Sequence, residues 1–230
     1  MNHEQIQNQA RHIHKEIWAN KHLLWPDQQL TPLQMLSPEV AAEILGLTYV
    51  EFQELDSGPF IFRGKRMRIA GLLDRQAKKI AVATQFSKEI VKFTAAHEVG
   101  HWLLHPNEIM HRDRPIDGSN NLEEARPIIE KEADYFAACF LMPENLLITK
   151  FEEVFGKEPF IFDDAASFNM NPSDPDMLLN ANKDSLDREF ALARCTAYNG
   201  RQIYSLSKKF GVSDSAMAIR LKELRLIRWP

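Results

Sequence analysis

Cysteine is scarce in these 230 residues. The two present, Cys139 and Cys195, lie in apolar or helical surroundings with no C-x-x-C spacing. A reduced, cytoplasmic setting is therefore expected rather than a disulfide-stapled one. Long apolar runs are lacking too. None reaches the roughly 20 residues that a membrane-spanning helix needs. The opening stretch, MNHEQIQNQARHIHKEIW, has no apolar core of the kind that marks an export signal. Neither a membrane anchor nor secretion is expected. A strong net charge is also missing: the total is −4, which argues against a general polyanion binder. There is no internal repeat and no low-complexity tract. What is present, 44% hydrophobic and 26% charged residues, suits an ordinary globular chain of one generous domain or one domain with an appendage.

Charge is distributed unevenly. Residues 201–230 carry seven basic and two acidic side chains, a net +5, which leaves −9 for the other 200. Ile6, Ala10, Ile13 and Ile17 recur at helical spacing and predict an amphipathic helix over 3–20. In LSPEVAAEILGL, Ser37 suits an N-cap, Pro38 a first helical position and Gly46 a stop. The pieces TYVEF, FIFRG, MRIAGLL and KIAVAT read as short strands, with DRQAKK as the turn between the last two. A helix capped by Ser87 follows. Residues 106–125 read as a long polar loop, and Pro127 opens a second helix that ends near Pro143. Residues 163–186 are rich in Asn, Asp, Pro and Ser, and LDREFALARCTAYNG reads as a helix that stops at Asn199-Gly200.

The chemistry concentrates in FTAAHEVGHWLLHP, residues 93–106. His97 and His101 are four residues apart, so both imidazoles share one helical face and can reach one metal ion. Glu98, one residue on, cannot join them as a ligand but can lie beside the ion as a general base toward a water held there. Chance would produce this H-E-x-x-H pattern in roughly one such chain in fifty, so its surroundings matter. Ile90, Phe93, His97, His101 and Leu104 fall on one stripe, and two buried imidazoles without a partner would be costly. In EKEADYFAA, Glu130 lies four residues before Asp134. Glu130 can supply a third ligand, and Asp134 can fix the tautomer of one histidine. Glu132 competes for the ligand role from a different face and ranks behind Glu130. A pattern extended by Gly and His is excluded by Leu104 and Asn107. His105 either lines the site or bonds a terminal carbonyl of the helix, the structural role being preferred. Tyr135 is an oxyanion-donor candidate by residue type alone, core packing being the preferred reading. His3, His12, His14, His22 and His111 read as surface or loop residues, Trp102 and Phe136 as core.

Three segments in order, RIAGLLDRQAKKIAVATQFSKEIVKFTAAHEVGHWLLHP, EKEADYFAACFLMP and LSKKFGVSDSAMAIRLKELRLI, resemble the ImmA/IrrE family of zinc-dependent metallopeptidases. The likeness covers about residues 65–145 and the tail from about 203 to 227. It implies one zinc ion per chain held by His97, His101 and Glu130, with Glu98 as catalytic acid/base. It also implies an α+β, thermolysin-like minidomain: a small antiparallel sheet with the H-E-x-x-H helix and the Glu-bearing helix. The strand KIAVAT is the candidate edge for an extended substrate. The expected partner is a protein substrate, a helix-turn-helix repressor, or an antitoxin if the chain is the effector of a paired system. Two departures stand out: the N-terminus is too short for a fused repressor-like domain, and Phe151–Gly200 runs long.

The tail YSLSKKFGVSDSAMAIRLKEL reads as helix, turn, helix, with Leu206, Phe210, Val212, Ala216, Met217 and Leu221 as its seam, Gly211 at the turn and Ser213 as a cap. Its charge suggests phosphate contact, with Arg220 and Lys222 on the second helix, but that helix has no Asn or Gln to read adenine. DNA binding is the lesser reading, beside a partner-binding regulator with a structural or conditional metal site. Manganese or iron could replace zinc on such a donor set. The expected organisation is a peptidase domain over 1–150, an insertion or flexible helical region over 151–200 and a helix-turn-helix-like segment over 201–230.

Overall fold

The computed structural model describes residues 1–55, 61–62, 65–66, 68–107, 110–113 and 127–229. The chain divides into two compact units, Met1–Leu141 and Met142–Pro230. In this division residues 151–200 fall in the same unit as the tail.

The first unit opens with α1 (His3–Leu24). Asn2 caps it, accepting from the Gln5 amide at 2.8 Å while Gln5 accepts in return from the Asn2 amide at 3.1 Å. This reciprocal pair satisfies two amides that the first turn would otherwise leave open. The stripe of Ile6, Ala10, Ile13 and Ile17 is buried throughout. α2 (Pro38–Ile44) starts at the Ser37 cap, and Gly46 leaves it at φ 71°, a left-handed turn that glycine adopts freely. The strands follow: β1 (Thr48–Phe52), β2 (Ile61–Phe62), β3 (Lys65–Arg66), β4 (Gly71–Asp74) and β5 (Lys79–Ala83). β4 and β5 form a hairpin whose turn closes on Lys78 at φ 50°. Then come α3 (Lys88–Leu104), β6 (Met110–Asp113) and α4 (Ile128–Leu141).

The main sheet runs β1-β5-β4-β6. Two expectations are corrected here. The sheet is mixed, because β1 pairs parallel with β5, Thr48 opposite Lys79 and Phe52 opposite Ala83. KIAVAT is therefore interior: β4 takes one side of β5 and β1 the other, and Ile80 to Ala83 are all buried. The outer places among the described strands belong to β1 and β6. β6 lies inside the stretch read as loop. MHRD has no apolar alternation, and its pairing with β4 is what makes it a strand. The remainder of that stretch, and most of FIFRG, lie outside the described residues.

α3 packs on β4, β5 and α4. From Thr94 to His101 every residue is buried, so the helix is enclosed rather than one-sided, while Ile90 and Phe93 are only half-buried. Gly100 lets α4 come close: a Cβ there would meet Phe136 Cδ1 at 3.1 Å and Ala133 Cα at 3.3 Å.

The second unit holds α5 (Glu144–Phe155), β7 (Phe160–Ile161), α6 (Asp164–Met170), α7 (Pro175–Leu179), α8 (Asp187–Arg194), β8 (Ala197–Tyr198), β9 (Arg201–Gln202), α9 (Leu206–Phe210), α10 (Asp214–Glu223) and β10 (Ile227–Arg228). Phe151, Phe155, Phe160 and Tyr198 make an aromatic cluster. Its closest ring centroids, those of Phe151 and Phe155, are 5.1 Å apart, and those of Phe151 and Phe160 are 6.4 Å apart. These separations suit tilted and edge-to-face ring contacts. The helix read through to Gly200 ends at Arg194. Asn199 and Gly200, at φ 48° and 72°, instead turn the β8–β9 hairpin, as an Asn-Gly pair does in a two-residue loop. α9 and α10 are joined at left-handed Gly211, with Ser213 capping α10. Leu206, Phe210, Val212, Met217 and Leu221 are buried, and Ala216 is half-buried. Arg220 is buried as well, donating to the Met142 carbonyl and to Glu223 Oε2, and Lys222 donates to the Lys183 and Ser185 carbonyls. The two cations considered for phosphate contact are thus engaged within the fold.

Candidate metal centre

α3 and α4 bring the centre together. His97, Glu98 and His101 are fully buried, and Glu130 stands opposite on the first turn of α4. His97 Nε2 and His101 Nε2 are 2.9 Å apart, and Glu130 places one oxygen 3.6 Å from each of them. One ligand atom from each of these three residues lies within 4.8 Å of the others, so the group could hold a metal ion.

The outer nitrogens decide whether it fits. Asp134 Oδ1 lies 2.8 Å from His97 Nδ1. A carboxylate only accepts, so His97 Nδ1 carries a hydrogen, and in the neutral ring its Nε2 carries none. His105 Nε2 lies 2.9 Å from Glu132 Oε2, and His105 Nδ1 lies 2.9 Å from His101 Nδ1. With one hydrogen on each ring, His105 donates to Glu132 and His101 donates to His105, so His101 Nε2 carries no hydrogen either. Two such nitrogens facing each other beside a carboxylate repel unless a cation lies among them. A tetrahedral zinc with bonds of 2.0–2.1 Å would separate its nitrogen ligands by about 3.3 Å. The observed spacing is close to that, so the donor set fits a divalent metal.

Glu98 lies against the start of β4. A Cβ at Gly71 would come 2.5 Å from its Oε1 and 3.1 Å from its Cγ. Glycine is thus needed where the strand backbone passes the carboxylate. The sequence reading did not single out Gly71, although a glycine opening an apolar strand is a signal of close approach. It also missed Arg75. That side chain stacks on Trp102 at 4.7 Å and donates through Nη2 to the carbonyls of His101, Trp102 and His105, at 2.6, 2.9 and 2.8 Å. Arg75 therefore caps the C-terminal end of the histidine helix. Glu132 is not one of the three grouped donors. Tyr135 is tied to α1, its ring stacked on His3 at 4.1 Å and its hydroxyl accepting from Gln7. Of the histidines read as surface, His14 is half-buried and bonds the Phe140 carbonyl at 2.8 Å. Burial holds its pKa below the usual value. A cleft of about 460 Å³ between α2, β1 and α3 is lined by Tyr49, Glu51, Lys88 and Lys92 and includes none of the grouped donors.

Two helices that place a buried glutamate beside a His-His-Glu donor group define a candidate metallohydrolase centre. Residues 56–158 match the sequence profile of the peptidase M78 family, described as the IrrE N-terminal-like domain. This match agrees with the ImmA/IrrE resemblance read from the sequence. The match takes in α3, α4 and every residue of the centre, and it ends before α6. No curated protein matches the chain. No helix among the described residues is long and apolar enough to cross a membrane.

Proposed function

We propose that the chain is a zinc-dependent endopeptidase that hydrolyses a peptide bond in one specific protein substrate, a helix-turn-helix transcriptional repressor. The observation that carries the metal reading is the convergence of His97 Nε2 and His101 Nε2, 2.9 Å apart, with a Glu130 oxygen 3.6 Å from each. His97, His101 and Glu130 would hold the ion. Two imidazoles and one carboxylate suit zinc, and three protein ligands leave a position for water or substrate. When bound, the ion supplies Lewis acidity that makes a water nucleophilic near neutral pH. Glu98 accepts a proton from the attacking water and returns it to the amine nitrogen as the peptide bond breaks. The Glu98 carboxylate lies close against Gly71, where β4 begins. β6 lies on the outer side of β4 among the described strands, and its far edge suits an extended peptide. The repressor as substrate follows from the family resemblance.

The test pairs metal content with cleavage of a co-encoded repressor. Wild type should hold about one zinc per chain. Glu130→Ala should lose it, while Glu98→Gln should keep it and lose cleavage. Intact cleavage by Glu98→Gln would sink the mechanism. Stoichiometric manganese or iron would replace zinc in the account and leave the donor set standing.

A further inference from the structure

We propose that His105 and Glu132 form a positioning relay behind His101 that sets its tautomer and orientation for the metal. The inference rests on the donor group above and deepens it. The plain alternative is that His105 merely finishes the helix by bonding its last carbonyls. Those carbonyls are already served: Arg75 Nη2 donates to the oxygens of His101, Trp102 and His105 itself. The His105 ring is turned to other work. It is 8% exposed, and both of its nitrogens sit 2.9 Å from a partner, His101 Nδ1 on one side and Glu132 Oε2 on the other. Glu132 is held in turn, its second oxygen paired with the Met1 amine.

The relay has a direction. A carboxylate is an acceptor only, so His105 Nε2 carries a hydrogen, and in the neutral ring its Nδ1 accepts. The hydrogen it accepts is the one on His101 Nδ1. Fixing that hydrogen leaves His101 Nε2 without one, on the side where His97 Nε2 and Glu130 converge. His97 reaches the same state in a single step, through Asp134. The two histidine ligands are thus backed by unlike devices, one a carboxylate and the other a carboxylate acting through an imidazole. An outer partner of this kind typically changes metal affinity by about 10–100-fold when removed.

The experiment uses full-length protein with Glu132→Leu, Glu132→Gln and His105→Phe beside wild type. Two quantities are read. One is the zinc dissociation constant from competition with a chelator. The other is the side-chain nitrogen resonances of the histidines in metal-free protein at one fixed pH, which report which ring nitrogen carries the hydrogen. Glu132→Leu and His105→Phe should weaken zinc binding by about 10–100-fold and mix the His101 tautomers. Glu132→Gln keeps an accepting oxygen and should restore most of both. Zinc affinity within twofold of wild type in both loss variants, with His101 still hydrogen-bearing at Nδ1, would overturn the proposal. So would a wild-type His101 that carries its hydrogen on Nε2. If wild type bound no metal, the metal reading would fail, and the resonances would still decide whether the relay sets the tautomer.

Discussion

Adding one methyl group at Gly71 tests the geometry of the centre without touching a ligand. In Gly71→Ala the new carbon would lie 2.5 Å from both Glu98 Oε1 and Thr94 Cγ2, far inside ordinary contact distance. The strand cannot retreat easily, since Gly71 is paired with Val82 on one side and Asp113 on the other. The side chains of α3 must therefore give way. Overpacking of this kind costs about 1–3 kcal/mol, offset by about 0.4–1 kcal/mol because alanine restricts the unfolded chain. The net loss is about 1–2 kcal/mol, a fall in melting temperature of roughly 3–6 °C for a chain of this size. The displaced group is the proposed base, and a misplacement near 1 Å can cost about 100-fold in rate. Zinc content should not change, because the three donors are elsewhere. The assay is calorimetry with cleavage of the repressor, repeated in Thr94→Ser and the double variant. Serine removes Cγ2, so the double variant should recover about 1 kcal/mol relative to additivity. An alanine variant that melts and cleaves like wild type would refute the close approach, and additive effects with Thr94→Ser would refute its cause.

Two further expectations concern stability. Arg75→Met keeps the aliphatic stem but loses three donations to the end of α3, so urea unfolding should show a loss of about 2 kcal/mol at unchanged slope. Arg75→Lys should recover less than half, since an ammonium lacks the planar stacking on Trp102; full recovery would mean that only charge matters there. In the second unit, burial raises the pKa of Glu189 despite its own amide and the nearby Lys222 and Arg188. The folded state then binds a proton more tightly than the unfolded one. Stability from this group is greatest below the ordinary carboxylate value near about 4.3 and declines as pH rises through the higher folded value. Glu189→Gln should flatten that decline in melting experiments between about pH 4 and 7; an unchanged slope would show that another group causes it.

Local signals were legible and remote pairings were not. The α1 stripe, the Ser37 and Ser87 caps, and the tail seam all follow from spacing and capping chemistry, which act within a few residues. The donor spacing in α3 and α4 was equally readable, because i to i+4 relations belong to a single helix. What escaped depended on distant partners. Nothing in MHRD marks a strand until β4 lies beside it. KIAVAT reads as a hairpin edge until β1, from well before the hairpin in sequence, closes its far side. Arg220 looks like a solvent-facing cation, but its burial depends on the carbonyl of Met142, remote in sequence. Asn199-Gly200 is a local signal with two meanings: in sequence it reads as a helix stop, and in the fold it turns the β8–β9 hairpin.

The closeness of Gly100 to Phe136 has a thermodynamic consequence. The donors come from two helices, so any ion they share ties residues 97–101 to residue 130, and it can do so only while the helices stay packed. Such binding adds to the stability of the first unit by mass action, about 4 kcal/mol when free metal is about a thousand times its dissociation constant. The second unit offers no comparable donor group among its described residues. The two halves of the chain would then respond differently to metal supply. Starvation would loosen the unit that carries the chemistry.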